Sequence, residues 1–187
     1  TAPFRIGVWR VLAQAEETAA GRARYVEQIR ASLLDANSPD RLHALESLAK
    51  LNIPLASEEE RTLVRELASD DAYPGQAFAL WRLEQEGSSP ERLNTLVAAL
   101  RSDDPVRRLR AAFVLGQQGP HPPEIRAAIE TALADEPRDS IAYPYLAIAA
   151  GGEPLLALAH DTGHPSAQAL AIRELVLQGQ TPPAVEI

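Results

Sequence analysis

The stretch LLALAHDTGHPSAQAL, Leu155 to Leu170, sets His160 beside Asp161 and places a second histidine, His164, one helical turn further on. Imidazole nitrogen and carboxylate oxygen at that spacing make the mixed ligand set that a divalent ion takes, and a metal so held activates water for hydrolysis. His160, Asp161 and His164 are the metal candidates of the chain, and few other residues offer such chemistry. No cysteine occurs in the 187 residues, which removes disulfides, thiolate ligands and cysteine nucleophiles and leaves the compartment undetermined. A glycine-rich phosphate loop and a G-x-S-x-G elbow are both missing, so nucleotide binding and serine hydrolysis have no anchor.

The His160-Asp161 pair resembles the metal-binding helix of HD-type phosphohydrolases. That resemblance implies two histidines and two aspartates around the ion, with one histidine on an earlier helix and one aspartate on a later one. Here no aspartate follows Asp161, and the nearest upstream histidine, His121, stands between Pro120 and Pro122, outside any expected helix. Gly163 also interrupts the spacing. The expectation is a solvated turn, with no catalytic metal and no cofactor.

The elements that carry these residues are set by an internal repeat. DDPVRRLRAAFVLGQQG, Asp103 to Gly119, aligns with DAYPGQAFALWRLEQEG, Asp71 to Gly87, at a shift of 32 residues. Ala79 then falls on Ala111, Leu83 on Leu115 and Gly87 on Gly119. ANSPDRLHALESLAKLN supplies Arg41, Ala44 and Leu48 in the same columns, with Asn52 in the glycine's place, where a left-handed helix end tolerates it. Weaker copies end at Gly151 and Gly179, so the terminal positions 52, 87, 119, 151 and 179 are spaced by 35, 32, 32 and 28.

Each copy reads as one helix followed by another. Ser57 and Glu60 have the spacing of a capping box, and the acidic run Glu58 to Glu60 suits the first turn of a helix without any ligand. Ser89-Pro90 and Pro122-Pro123 mark further helix starts. Alternating β-branched runs and Asn-Gly turns are missing, so no strand is expected.

Asp104, Pro105, Arg108, Ala111, Ala112, Leu115, Gly116 and Gly119 resemble HEAT repeats, most closely the short type of phycobilin lyases. The resemblance covers residues 35 to 179 and implies an all-α, right-handed solenoid of about five to six helix pairs whose concave face binds proteins, the second helices such as Glu91 to Leu100 included. Residues 1 to 34 read as a less regular capping or junction pair, and residues 180 to 187 as a Pro-rich tail. Pro144 stands where the template has Ala112, so the fourth first-helix is expected to start late or kink.

Trp81, Phe113 and Tyr145 share one repeat column, which continues as Glu46 before them and Arg173 after. Two arrangements fit. The aromatics either seal adjacent repeats or form an exposed stripe with charged ends of the kind interface hot spots favour. Arg41 and Arg108 share another column and are expected to pair with carboxylates or carbonyls between repeats.

Eighteen basic against 26 acidic residues give a net charge of −8. That balance argues against phosphate neutralisation, hence against nucleic acid, and favours a protein partner with a basic surface. No apolar run approaches a bilayer span, so no membrane insertion is expected. The opening Thr1 fits a processed protein or a domain of a longer one equally well. The expected function is a non-catalytic protein-interaction scaffold, or the repeat appendage of a larger, bacterial-type protein, in which case the partner is another domain of the same polypeptide. A phycobilin-lyase-like or HD-type enzyme is the alternative and needs polar groups converging in a pocket; a purely structural spacer would lack an exposed apolar stripe.

Overall fold

The computed structural model describes residues 5–181; residues 1–4 and 182–187 lie outside the described residues, so only the first two positions of the Pro-rich tail are described. The described residues form eleven α-helices and no strand. They are α1 (Arg5–Ala15), α2 (Ala19–Leu34), α3 (Arg41–Lys50), α4 (Glu58–Ser69), α5 (Gln76–Glu84), α6 (Pro90–Ala99), α7 (Pro105–Gln118), α8 (Pro123–Asp135), α9 (Tyr143–Ala150), α10 (Gly152–Ala159) and α11 (Pro165–Leu177). The chain divides into two compact units, Thr1–Arg92 and Leu93–Ile187, with the division inside α6.

In the first unit α1 packs on α2 and α3, α2 on α3, and α5 on both α3 and α4. The α1–α3 and α3–α5 contacts therefore join helices that are not consecutive in the chain. The core follows the repeat columns: Ala44, Leu45, Leu48 and Ala79 are buried, joined by Ile29, Leu33 and Val64. In the second unit α9 packs on α7, α8, α10 and α11. Ala147, Leu155, Leu158, Ala159, Ala171 and Leu175 form its inner cluster, with Tyr143 and Ile172 against it. Each fully buried leucine contributes about 1.5–3 kcal/mol over its exposed state.

Helix starts and stops have local causes. Ser57 accepts from the Glu60 N–H at 3.1 Å, half of the expected capping box. The other half does not form: the Glu60 carboxylate is 3% exposed and is held instead by Arg30 and by the Ala56 N–H at 2.7 Å. Asp104 accepts from the Val106 N–H at 2.9 Å, with Pro105 opening α7. The Pro144 expectation holds, since α9 begins at Tyr143 with the proline in its first turn, where no N–H is needed. Asn52 (φ 50°) and Gly179 (φ 70°) end α3 and α11 in the left-handed region, and the next N–H reaches back to Leu48 and Leu175 respectively, at 3.0 and 2.9 Å.

One polar column closes the joint between successive pairs. The last carbonyls of a helix have no partner within it, and here a side chain near the start of the following helix reaches back to them. Arg41 donates to Leu33 O (2.9 Å) and Leu34 O (3.2 Å), Gln76 to Ala68 O (3.1 Å), and Gln168 to Ala159 O (3.1 Å). Arg108, in the same column, donates instead to carbonyls of the turn before its own helix, Ser102 O (2.7 Å) and Asp103 O (3.2 Å), and also grips Glu136 through two bonds of 2.7 and 2.8 Å. Ser140, the fifth member of the column, donates to the same Glu136. Arg41 and Arg108 thus take the structural role expected for them, Arg41 on carbonyls and Arg108 on carbonyls and the Glu136 carboxylate.

The hydrogen bond from Arg108 holds the Glu136 carboxyl below the ordinary glutamate range, against the opposing effect of burial, and Ser140 assists. A carboxyl lowered by folding stabilises the fold above its unfolded pKa of about 4.3, and that contribution is lost as pH falls through the folded value. Arg108→Ala should cost about 1–3 kcal/mol at neutral pH, and Arg108→Lys should not restore it. Glu136→Gln should be less stable than the parent at pH 7, with the gap closing as pH falls below about 4. Urea unfolding across pH measures both.

Candidate functional site

The metal candidates lie in the turn between α10 and α11. His160 ends α10, its N–H returning to Leu156 O and Ala157 O at 3.2 Å. Asp161 accepts from the Gly163 N–H at 3.0 Å and faces His164 Nδ1 at 3.0 Å. The His164 contact is the main reason its carboxyl sits below the ordinary aspartate range. The pair folds the turn. Among the described residues no three His, Asp or Glu side chains come together in a metal-holding arrangement. His121 is elsewhere, its Nε2 at 2.7 Å from Leu115 O.

The aromatic column divides. Trp81 is 5% exposed, because α5 is buried on every face from Gln76 to Arg82. An exposed stripe is therefore ruled out at its first aromatic while the fold holds. Phe113 on α7 and Tyr145 on α9 are half-buried and meet edge to face, centroids 6.1 Å apart at 75°. Arg173 is exposed on α11. The sequence had no means of showing that α5 lacks an outer face, since its charged Arg82 reads as solvated. In fact Arg82 is 2% exposed, in contact with Asn52 Oδ1 at 3.4 Å and Glu86 at 3.5 Å, and burial lowers its pKa against the opposing charge of Glu86.

Glu46, the acidic end of the column, lines a cleft of about 200 Å³ between α1 and α3, together with Ile6, Gly7, Arg10, Asp40, His43 and Ser47. Asp40 is tied to Arg5 at 3.0 Å. Glu46 accepts from Lys50 one turn on, faces His43 Nδ1 at 3.3 Å, and has Arg10 at 3.9 Å. Burial pushes its carboxyl up, but Lys50, His43 and Arg10 together outweigh burial and hold it below the ordinary value. Gly7 is the feature that sequence reading passed over: inside a helix it costs about 0.5–1 kcal/mol against alanine, and nothing lies within 4 Å of where its Cβ would be. No packing neighbour demands the glycine.

No protein-family model matches the chain, and no curated protein matches it well enough to stand as a relative.

Trp81→Ala should destabilise the fold by about 3–5 kcal/mol, as truncation of a buried aromatic does, whereas the double change His160→Ala, Asp161→Ala should shift stability by less than about 1 kcal/mol. Gly7→Ala should raise stability by about 0.5–1 kcal/mol. Chemical unfolding of the purified variants gives all three values, and a Trp81→Ala cost below about 1 kcal/mol would contradict the burial argument.

Proposed function

We propose that this chain is a non-catalytic protein-interaction module built as a HEAT-like helix-pair array, either free-standing or as the repeat appendage of a larger protein. The observation that carries the reading is the joint column: Arg41, Gln76 and Gln168 reach back to the end of the preceding helix, and Arg108 in the same column holds the turn before α7 and Glu136 after α8. Polar side chains used in this way are architectural, and an array so built offers successive helices as a docking surface. The half-buried Tyr145 and the exposed Arg173 remain available from the aromatic column, and Val8, Val11 and Leu12 on α1 add large apolar side chains at 54, 57 and 39% exposure. With a net charge of −8, the partner presents basic groups on balance, and attraction steers the encounter.

Affinity capture with the immobilised chain tests this reading. Arg173→Glu should leave thermal stability within about 0.5 kcal/mol of the parent, yet weaken partner capture, and association should slow as salt rises and screens the charges. A partner held equally by the parent, by Arg173→Glu and by Val11→Asp, each variant testing one unit, or one whose association is indifferent to salt, would count against those docking residues and the electrostatic part respectively.

A further inference from the structure

Of the eight large hydrophobic side chains exposed among the described residues, only Ile141 lies outside α1, α2, α10 and α11. The first and last helix pairs therefore show water what the helices between them keep covered. On α1, Ile6 and Ala13 lie on one face and are buried, whereas Val8, Val11 and Leu12, at i, i+3 and i+4, share the other and are exposed. On α11, Ala171 and Leu175 are buried, while Arg173, Val176 and Leu177 share an exposed face at the same spacing. A helix that is apolar on two faces is built to be covered on both. The inner helices have that double cover: α3 packs on both α1 and α5, and α9 on both α7 and α11. An array of helix pairs stays single when its terminal pairs turn a polar face outward, and these two terminal helices turn an apolar one.

We propose that the exposed face of α1 in one copy of this chain receives the exposed face of α11 in a second copy, a head-to-tail contact in which each terminal helix gains the second cover that α3 and α9 already have. It names one partner for the docking module and rests on the helix-pair array of that reading. Charge favours unlike ends. α1 and α2 carry five arginines against three glutamates, with Arg22 and Arg24 exposed on α2, whereas α10, α11 and the turn between them carry Arg173 against Glu153, Asp161 and Glu174. The two end pairs thus differ in sign, which attracts one to the other and sets like ends against each other. The acidic excess that keeps copies apart elsewhere lies between them, where residues 35–151 hold 19 acidic and 12 basic side chains. Two or three exposed large side chains a face fall well short of the roughly 20–30 residues a side of a stable interface, so the contact is weak and populated at about 0.1–1 mM chain. Such a contact joins two different surfaces, so one copy can engage a neighbour at either end.

Sedimentation equilibrium of the full chain between about 0.01 and 1 mM tests this. The parent's average mass should rise above that of the monomer with concentration. Val11→Asp spoils the α1 face and Val176→Asp the α11 face, and each should weaken association roughly tenfold or more. An equal mixture of the two variants should recover it and stop at the dimer, because each chain keeps the face that the other has lost. Both positions are more than half exposed, so helicity by circular dichroism should be unchanged; should either variant lose it, Leu12→Ser or Leu177→Ser takes its place. A parent that stays monomeric to about 1 mM, or a mixture no more associated than its components, overturns the proposal. So does association that survives Val176→Asp, since it would join α1 to α1, or association that survives Val11→Asp, since it would join α11 to α11. A chain that self-associates in this way but captures no foreign protein keeps this contact and loses the wider docking role; one that captures a foreign protein and stays monomeric keeps that role and loses this contact.

Discussion

The carbonyl groups that end each helix are the constraint around which this chain is organised. An α-helix leaves its last carbonyls without donors, and the eleven helices of the described residues have many such ends. At three joints the solution is the same: Arg41, Gln76 and Gln168, each near the start of a helix, turn back and donate to the last carbonyls of the helix before. Where the donor sits on one helix and the acceptors on the previous one, satisfying the backbone also ties the two helices together.

Buried charge extends the same logic to the loops of the first unit. Arg30, 9% exposed, grips Glu60 and donates to Pro54 O at 2.7 Å, while Glu86 accepts from the Leu55 N–H at 2.9 Å and lies 3.5 Å from Arg82. The loop between α3 and α4 is thus held by charged side chains from α2 and from the end of α5. Removing two charges from water offsets much of their attraction, so this network is better understood as fixing the path of the loop than as a large source of stability.

Much of the fold was legible in the sequence because its determinants are local or periodic. Asn52 and Gly179 show their left-handed ends, Pro105 and Pro123 open helices as their positions imply, and Pro144 delays α9. Arg41 and Arg108 shared a column before any contact was known, and Gln76 and Gln168 share it too, differing in residue type but equal in function. The site was less legible. Burial of Trp81 depends on α5 having neighbours on all sides, which no single-helix pattern encodes. The cleft depends on α1, the least regular segment, meeting α3, so Arg10 had no repeat partner to single it out, and the column that holds Ser47 runs through Arg82, Val114 and Leu146 with no shared chemistry. Glu46 was singled out only through its column, and it lies in the cleft for a different reason, its place on the face of α3 turned toward α1.

The position of α9 has a further consequence. It is eight residues long, comes from one of the faintest copies of the repeat, and begins on the tyrosine before a proline, yet α7, α8, α10 and α11 all pack against it. Architectural centrality and resemblance to the consensus are therefore inverted in the second unit. What this helix must preserve is its apolar girth, Leu146 and Ala147 being fully buried where four helices converge.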